Sequence, residues 1–152
     1  MTEPSRERSS TKLYTPRLLG LAAELAEYPY SENLPLQSEA RSKTCGSSIA
    51  LSAETDGAGN LIKIGMQVTA CAVGQSSAAI MGRSAKGQNA ADVAGVYRDI
   101  EAWLAGRSQM PDWPGMVWLE PALAHPGRHG ALLLPWKALY EALSREPLSS
   151  HE

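Results

Sequence analysis

The stretch IALSAETDGAGNLIKIGMQVTAC, residues 49–71, decides the fold because its side chains alternate on both sides of one turn. In residues 62–68, isoleucine, methionine and valine alternate with polar or small residues, which is typical of a strand with one buried face. A weaker alternation over residues 49–53 predicts a second strand, and DGAGN at 56–60 predicts the turn between them. The result is an antiparallel hairpin. Helices must cover its apolar face, because an isolated hairpin is only marginally stable in water.

Outside the hairpin, apolar residues recur at helical spacing. Four to five helices are expected, in the segments 16–28, 72–83, 90–105, 116–124 and 131–145. Pro135 is expected in or near the first turn of the last helix, because a proline further inside would kink it. Residues 28–43 are rich in Pro, Ser, Asn and Glu and predict a connecting loop with room for a short strand. The predicted fold class is therefore α+β, with a hairpin-based antiparallel sheet of about three strands covered on one face by helices.

The composition is that of an ordinary globular domain, with 152 residues of which 43% are hydrophobic and 20% charged. The domain is expected over residues 13–147, after a disordered arm at 1–12 and before a frayed tail at 148–152. No apolar run approaches the roughly 20 residues that span a bilayer. The N-terminus also lacks an apolar signal segment, so we expect no membrane association and a cytoplasmic location, where thiols stay reduced. A net charge of −2 without a basic stripe argues against nucleic acid as the main partner.

The two cysteines are placed symmetrically about the predicted turn. Cys45 lies 11 residues before Asp56, and Cys71 lies 11 residues after Asn60. If the hairpin is in register, both thiols lie at its open end. Cys71 also begins a helix, where the helix dipole favours a thiolate. Such a pair suits zinc, ferrous iron or an iron–sulfur cluster, although two thiolates need further ligands, and a free cysteine is often simply a small buried hydrophobe.

Four segments together carry a resemblance to a known family. They are SKTCG at 42–46, ACA at 70–72, QSSAAIM at 75–81 and RHGALLLPW at 128–136. Combined with the alternating hairpin, they make residues 12–145 resemble the NifU/IscU/SufU iron–sulfur cluster assembly scaffold domain. The resemblance implies a scaffold or carrier rather than an enzyme. It also implies that cysteine thiolates bind iron or a cluster, and that the partners are a cysteine desulfurase or other assembly proteins.

The family's ligand pattern is only partly present in this chain. Cys45 and Cys71 match the first two family cysteines, whereas Ser47 stands where the family has an aspartate. Ala131 stands at the third cysteine, or Gly130 does if the register is shifted by one.

A third ligand could come from His129, which lies one or two residues before the position of the missing cysteine. The candidate metal ligands are therefore Cys45, Cys71 and His129. The alternative for His129 is a residue at a helix start whose ring caps backbone N–H groups or faces water.

Two other functions fit the same residues. One is a degenerate scaffold paralogue that keeps the fold and acts as a binding module of the assembly machinery, either with zinc at Cys45 and Cys71 or without any cluster. The other is an enzyme with a single reactive thiolate at Cys71, favoured by its place at a helix start.

Overall fold

The computed structural model describes residues 13–43 and 46–145. Within them lie three strands, β1 Leu36–Arg41, β2 Ser48–Thr55 and β3 Leu61–Thr69. The α-helices are α1 Pro16–Ala23, α2 Ala72–Ser84, α3 Ala90–Leu104 and α4 His129–Leu143. Short 3₁₀ segments cover Glu24–Glu27, Met116–Ala124 and Pro126–Arg128. The predicted α+β class with a three-stranded antiparallel sheet is confirmed.

The predicted arm at 1–12, the tail at 148–152 and Cys45 all lie outside the described residues. No helix among the described residues is long and apolar enough to cross a membrane.

The hairpin forms as the alternation predicts. The strand order is β1-β2-β3 with both pairs antiparallel, and Ser48 pairs with Thr69 at one end of the β2–β3 ladder. At the other end, the Asp56 carboxylate accepts hydrogen bonds from the backbone N–H groups of Ala58 and Asn60, each at 2.9 Å. These bonds lower the pKa of Asp56, with the bond from Asn60 contributing most.

Strand β1 lies inside the segment predicted mainly as a loop. Its inward residues are Leu36, Ser38 and Ala40, all buried. Ser38 interrupts the apolar alternation along β1, so the pattern is hard to recognise in the sequence. Its burial is tolerated because the Ser38 hydroxyl donates to the Ala138 carbonyl of α4 at 2.7 Å. The partner is 100 residues away, so no local pattern could have predicted the bond.

Helix α4 packs across β1 and β2 and also contacts α2 and α3, which makes it the centre of the core. Its Trp136 is fully buried, and the indole N–H donates to the Ser77 hydroxyl of α2 at 2.8 Å. The helix begins at His129, two residues earlier than predicted, so Pro135 is its seventh residue rather than part of the first turn. Because proline has no N–H, the Ala131 carbonyl lacks its usual i+4 partner.

Candidate thiolate site at one end of the sheet

Cys71 lies at the junction of β3 and α2. It is the residue before the helix, in an extended conformation, and its carbonyl accepts the hydrogen bond from the Gln75 N–H at 3.0 Å. Its side chain makes no capping hydrogen bond and is half-buried. The prediction that Cys71 opens the helix after the hairpin is therefore confirmed, and its side chain packs partly against the hydrophobic core.

The position of Cys45 can be followed only through its neighbours, because Thr44 and Cys45 lie outside the described residues. The Ser42 N–H donates to the Ser47 carbonyl at 2.8 Å and closes the loop between β1 and β2. The loop ends at Ser48, which pairs with Thr69, two residues before Cys71. Both ends of this loop thus lie at the same end of the sheet as Cys71, while the approach of the two sulfurs stays a prediction.

The position expected for the third cysteine lies beside the first turn of α2. Ala131 is fully buried. A Cβ added at Gly74 would come within 3.3 Å of the Ala131 Cβ and 2.8 Å of the Ala70 Cβ. The start of α4 therefore packs against the start of the helix that Cys71 opens, and a methyl group occupies the place of the family's third thiolate. Gly130, the alternative position, is only half-buried.

His129 is half-buried at the first position of α4. Its Nε2 lies 3.0 Å from the carbonyl oxygen of Ala122. Because a carbonyl oxygen only accepts, Nε2 must carry the hydrogen, and in the neutral ring Nδ1 keeps its lone pair. A ring nitrogen that donates to a backbone carbonyl while the other is available is the usual arrangement of a metal-binding histidine. His129 as a ligand remains a prediction.

The described residues do not assemble a complete metal site by themselves. Within 13–43 and 46–145, no group of three or more His, Cys, Asp or Glu side chains could hold a metal ion. Cys71 is the only cysteine in that part of the chain. A site with more than one thiolate must include Cys45.

The fold was compared with known proteins. No family model matches the sequence, and no curated protein matches it significantly. The crystal structure of a NifU-like protein (N-terminal) from Brucella abortus matches with a TM-score of 0.82 at 21% identity, covering 95% of this chain and 99% of that one. The chain has the NifU/SufU-like scaffold fold.

A second structure with this fold is a candidate iron–sulfur cluster assembly scaffold protein for the SUF system, from Fervidobacterium islandicum AW-1. It matches with a TM-score of 0.79 at 21% identity, covering 89% of this chain and 99% of that one. A hypothetical protein of known structure also matches, with a TM-score of 0.66 at 20% identity, covering 84% of this chain and 97% of the other. The scaffold-like fold predicted from the sequence motifs is thereby confirmed.

Sequence reasoning missed a basic cavity next to this end of the NifU-like fold. Arg41 and Lys43 from the end of β1 and its loop meet Tyr97 of α3 and Lys137 of α4. These residues come from three separate segments, so only the tertiary structure could bring them together.

Proposed function

We propose that this chain is a scaffold or carrier in iron–sulfur cluster assembly, which holds iron or a cluster as cargo on the thiolates of Cys45 and Cys71. The observation that carries the proposal is the place of Cys71 within a NifU/SufU-like fold, at the start of α2 and two residues beyond the Ser48–Thr69 pair. The loop that contains Cys45 starts and ends at this same end of the sheet. Soft anionic sulfur ligands at such a site are suited to iron and to cluster sulfide.

His129 is the proposed third ligand. Its Nε2–H bond to Ala122 fixes the ring and leaves Nδ1 as the nitrogen that can bind a metal. The chemistry proposed is binding and transfer rather than turnover. The proposed partners are a cysteine desulfurase or other assembly proteins in the cytoplasm, since a carrier must receive sulfur and hand over its cargo.

The test is anaerobic reconstitution of the full chain with ferrous iron and sulfide, followed by absorption spectroscopy and by iron and sulfide analysis. Cys45→Ala and Cys71→Ala are each expected to abolish the visible-absorbing species. His129→Ala is expected to lower the bound iron, while His125→Ala, four residues away, serves as a matched control. A colourless wild-type protein without bound iron would refute the proposal.

One observation favours a second candidate, the degenerate paralogue. Ala131 places a buried methyl group where the family has its third cysteine, which leaves at most two thiolates. Such a protein would keep the fold and act as a binding module of the assembly machinery, with zinc at Cys45 and Cys71 or without any metal. Elemental analysis of protein purified without oxygen separates the two candidates, because the scaffold should contain iron and sulfide and the paralogue zinc or neither.

A further inference from the structure

A cavity of about 250 Å³ opens between the end of β1 and the first turns of α4. Its walls combine three cationic side chains with an aromatic and aliphatic floor. The residues that matter are Arg41, Lys43, Tyr97, Leu133, Leu134 and Lys137. A volume of this size admits a small metabolite but is below the usual range for larger organic ligands.

All the charged side chains that line the cavity are positive. Arg83–Glu24 is the one ion pair between described residues, so Arg41, Lys43 and Lys137 have no carboxylate partner in that part of the chain. Glu39 lies two residues from Arg41 along β1, yet it does not line this cavity. These three cations around one concave site concentrate positive potential there, in a protein whose net charge is −2. The carboxylates of Glu101 and Glu141 lie near Tyr97 but do not line the cavity.

The neutral walls add specific chemistry. Burial raises the pKa of Tyr97, and the nearby carboxylates of Glu101 and Glu141 raise it further, so its hydroxyl remains a hydrogen-bond donor at neutral pH. Leu133 and Leu134 supply apolar surface for a carbon skeleton. The Arg41 guanidinium is planar and matches carboxylate or phosphate oxygens in a bidentate manner.

We propose that this cavity binds a small organic anion with two or more carboxylate or phosphate groups, held by Arg41, Lys43 and Lys137 over the floor of Tyr97 and Leu133. The site goes beyond the proposed function, because it requires neither iron nor the cysteines. Ser42 and Lys43, at the start of the loop that contains Cys45, line the cavity, and so does Gly130, the residue before Ala131. A bound anion would therefore lie near the candidate thiolate site.

The test is isothermal titration of the metal-free full chain with citrate, and separately with inorganic phosphate, at low and at physiological salt. Wild-type protein is expected to bind at least one probe, and the tighter probe identifies carboxylate or phosphate as the preferred group. Arg41→Ala and Lys137→Ala are each expected to weaken that binding about tenfold, since each removes one charge-assisted contact. Lys86→Ala, at a separate cavity, is the matched control and should bind as wild type does.

Two further measurements distinguish anion binding inside the cavity from nonspecific binding to positive charges on the surface. Leu133→Trp should fill the cavity while leaving every cation in place, and is expected to abolish binding. In the wild-type chain, amide resonances of residues 41–43, 97, 130–134, 136 and 137 should shift on titration. The proposal is overturned if neither probe binds, if Lys86→Ala weakens binding as much as Arg41→Ala, or if the shifts map elsewhere. Because the protein is metal-free throughout, a failure of cluster reconstitution does not affect this result.

Discussion

Gly74 in the first turn of α2 lies directly against Ala131 in the first turn of α4. A Cβ built on Gly74 would be 3.2 Å from the Ala131 carbonyl oxygen, 3.3 Å from the Ala131 Cβ and 2.8 Å from the Ala70 Cβ. The glycine therefore permits a close approach of two helix starts. The contact joins the helix that Cys71 opens to the position expected for the third cysteine.

Gly74→Ala should destabilise the fold by about 1–3 kcal/mol. The added methyl group would lie too close to the Ala70 Cβ and to the carbonyl oxygen and Cβ of Ala131, which overpacks a buried contact. Gly95→Ala is the matched control. Gly95 also lies inside a helix, but its Cβ position has no neighbour within 4 Å, so the same change should stabilise by about 0.5–1 kcal/mol. Urea denaturation measures both. Equal effects of the two substitutions would contradict the close packing at Gly74.

Ala131→Cys should restore a third thiolate and slow the loss of a reconstituted cluster to a chelator severalfold, because three thiolates hold iron better than two. Gly130→Cys tests the register shifted by one, at a position that is half-buried rather than buried. The control is Ala142→Cys, also fully buried on α4 but about 16 Å further along the helix axis. If the Ala142→Cys protein loses its cluster as slowly as the two test variants do, the slower loss does not come from a cysteine at the start of α4.

Ser77→Ala should destabilise the fold by about 1–3 kcal/mol. The Ser77 hydroxyl accepts from the Trp136 indole N–H at 2.8 Å and donates to the Leu132 carbonyl at 2.6 Å. Its loss leaves the buried indole N–H unpaired and removes one bond to the Leu132 carbonyl. Ser108→Ala removes an exposed hydroxyl with one long hydrogen bond and should change stability little. Denaturation followed by tryptophan fluorescence checks the difference, and a Ser77→Ala protein as stable as wild type would refute it.

Asp56→Ala should remove a pH-dependent part of the stability. The pKa of Asp56 lies below its ordinary value of 3.8 because backbone N–H groups bond to the carboxylate. Because the carboxylate is bound more favourably in the folded state, it stabilises the folded protein fully at pH values above 3.8. That stabilisation is lost as the pH falls through the lower pKa of the folded state. Wild type and Asp56→Ala should therefore differ at neutral pH and converge in acid. Chemical denaturation repeated across the pH range measures this difference, and a gap between the two proteins that stays constant down to acid pH would contradict the prediction.

Local sequence patterns predicted most of the secondary structure. The period of two placed β2 and β3, and the helix expected over residues 90–105 begins as α3 at Ala90, after a reciprocal capping box between Asn89 and Asp92. Such signals survive because they involve residues only a few positions apart. Strand β1 was expected only as a short strand within the loop at 28–43, since Ser38 interrupts its apolar alternation and is satisfied by a carbonyl 100 residues away.

In the candidate site too, some features could be predicted from local sequence patterns, and others depend on the tertiary structure. The placement of Cys71 at a helix start follows from the change of period at residue 71, and the structure confirms it. His129 could be proposed from the sequence because it precedes the missing cysteine. Its bond to Ala122, which leaves Nδ1 available, depends on how the 3₁₀ segment Met116–Ala124 folds back toward α4. That return path has no short-range signature.

The sequence by itself determined the hairpin, the helices around it and the place of Cys71 between them, because these depend on the spacing of neighbouring side chains. Only the tertiary structure decided that Ala131 packs against Gly74 and that Arg41, Lys43 and Lys137 surround one cavity. Those arrangements arise from packing between segments far apart in the chain. Their free energy depends on shape and charge across an interface, which no periodicity along one segment encodes.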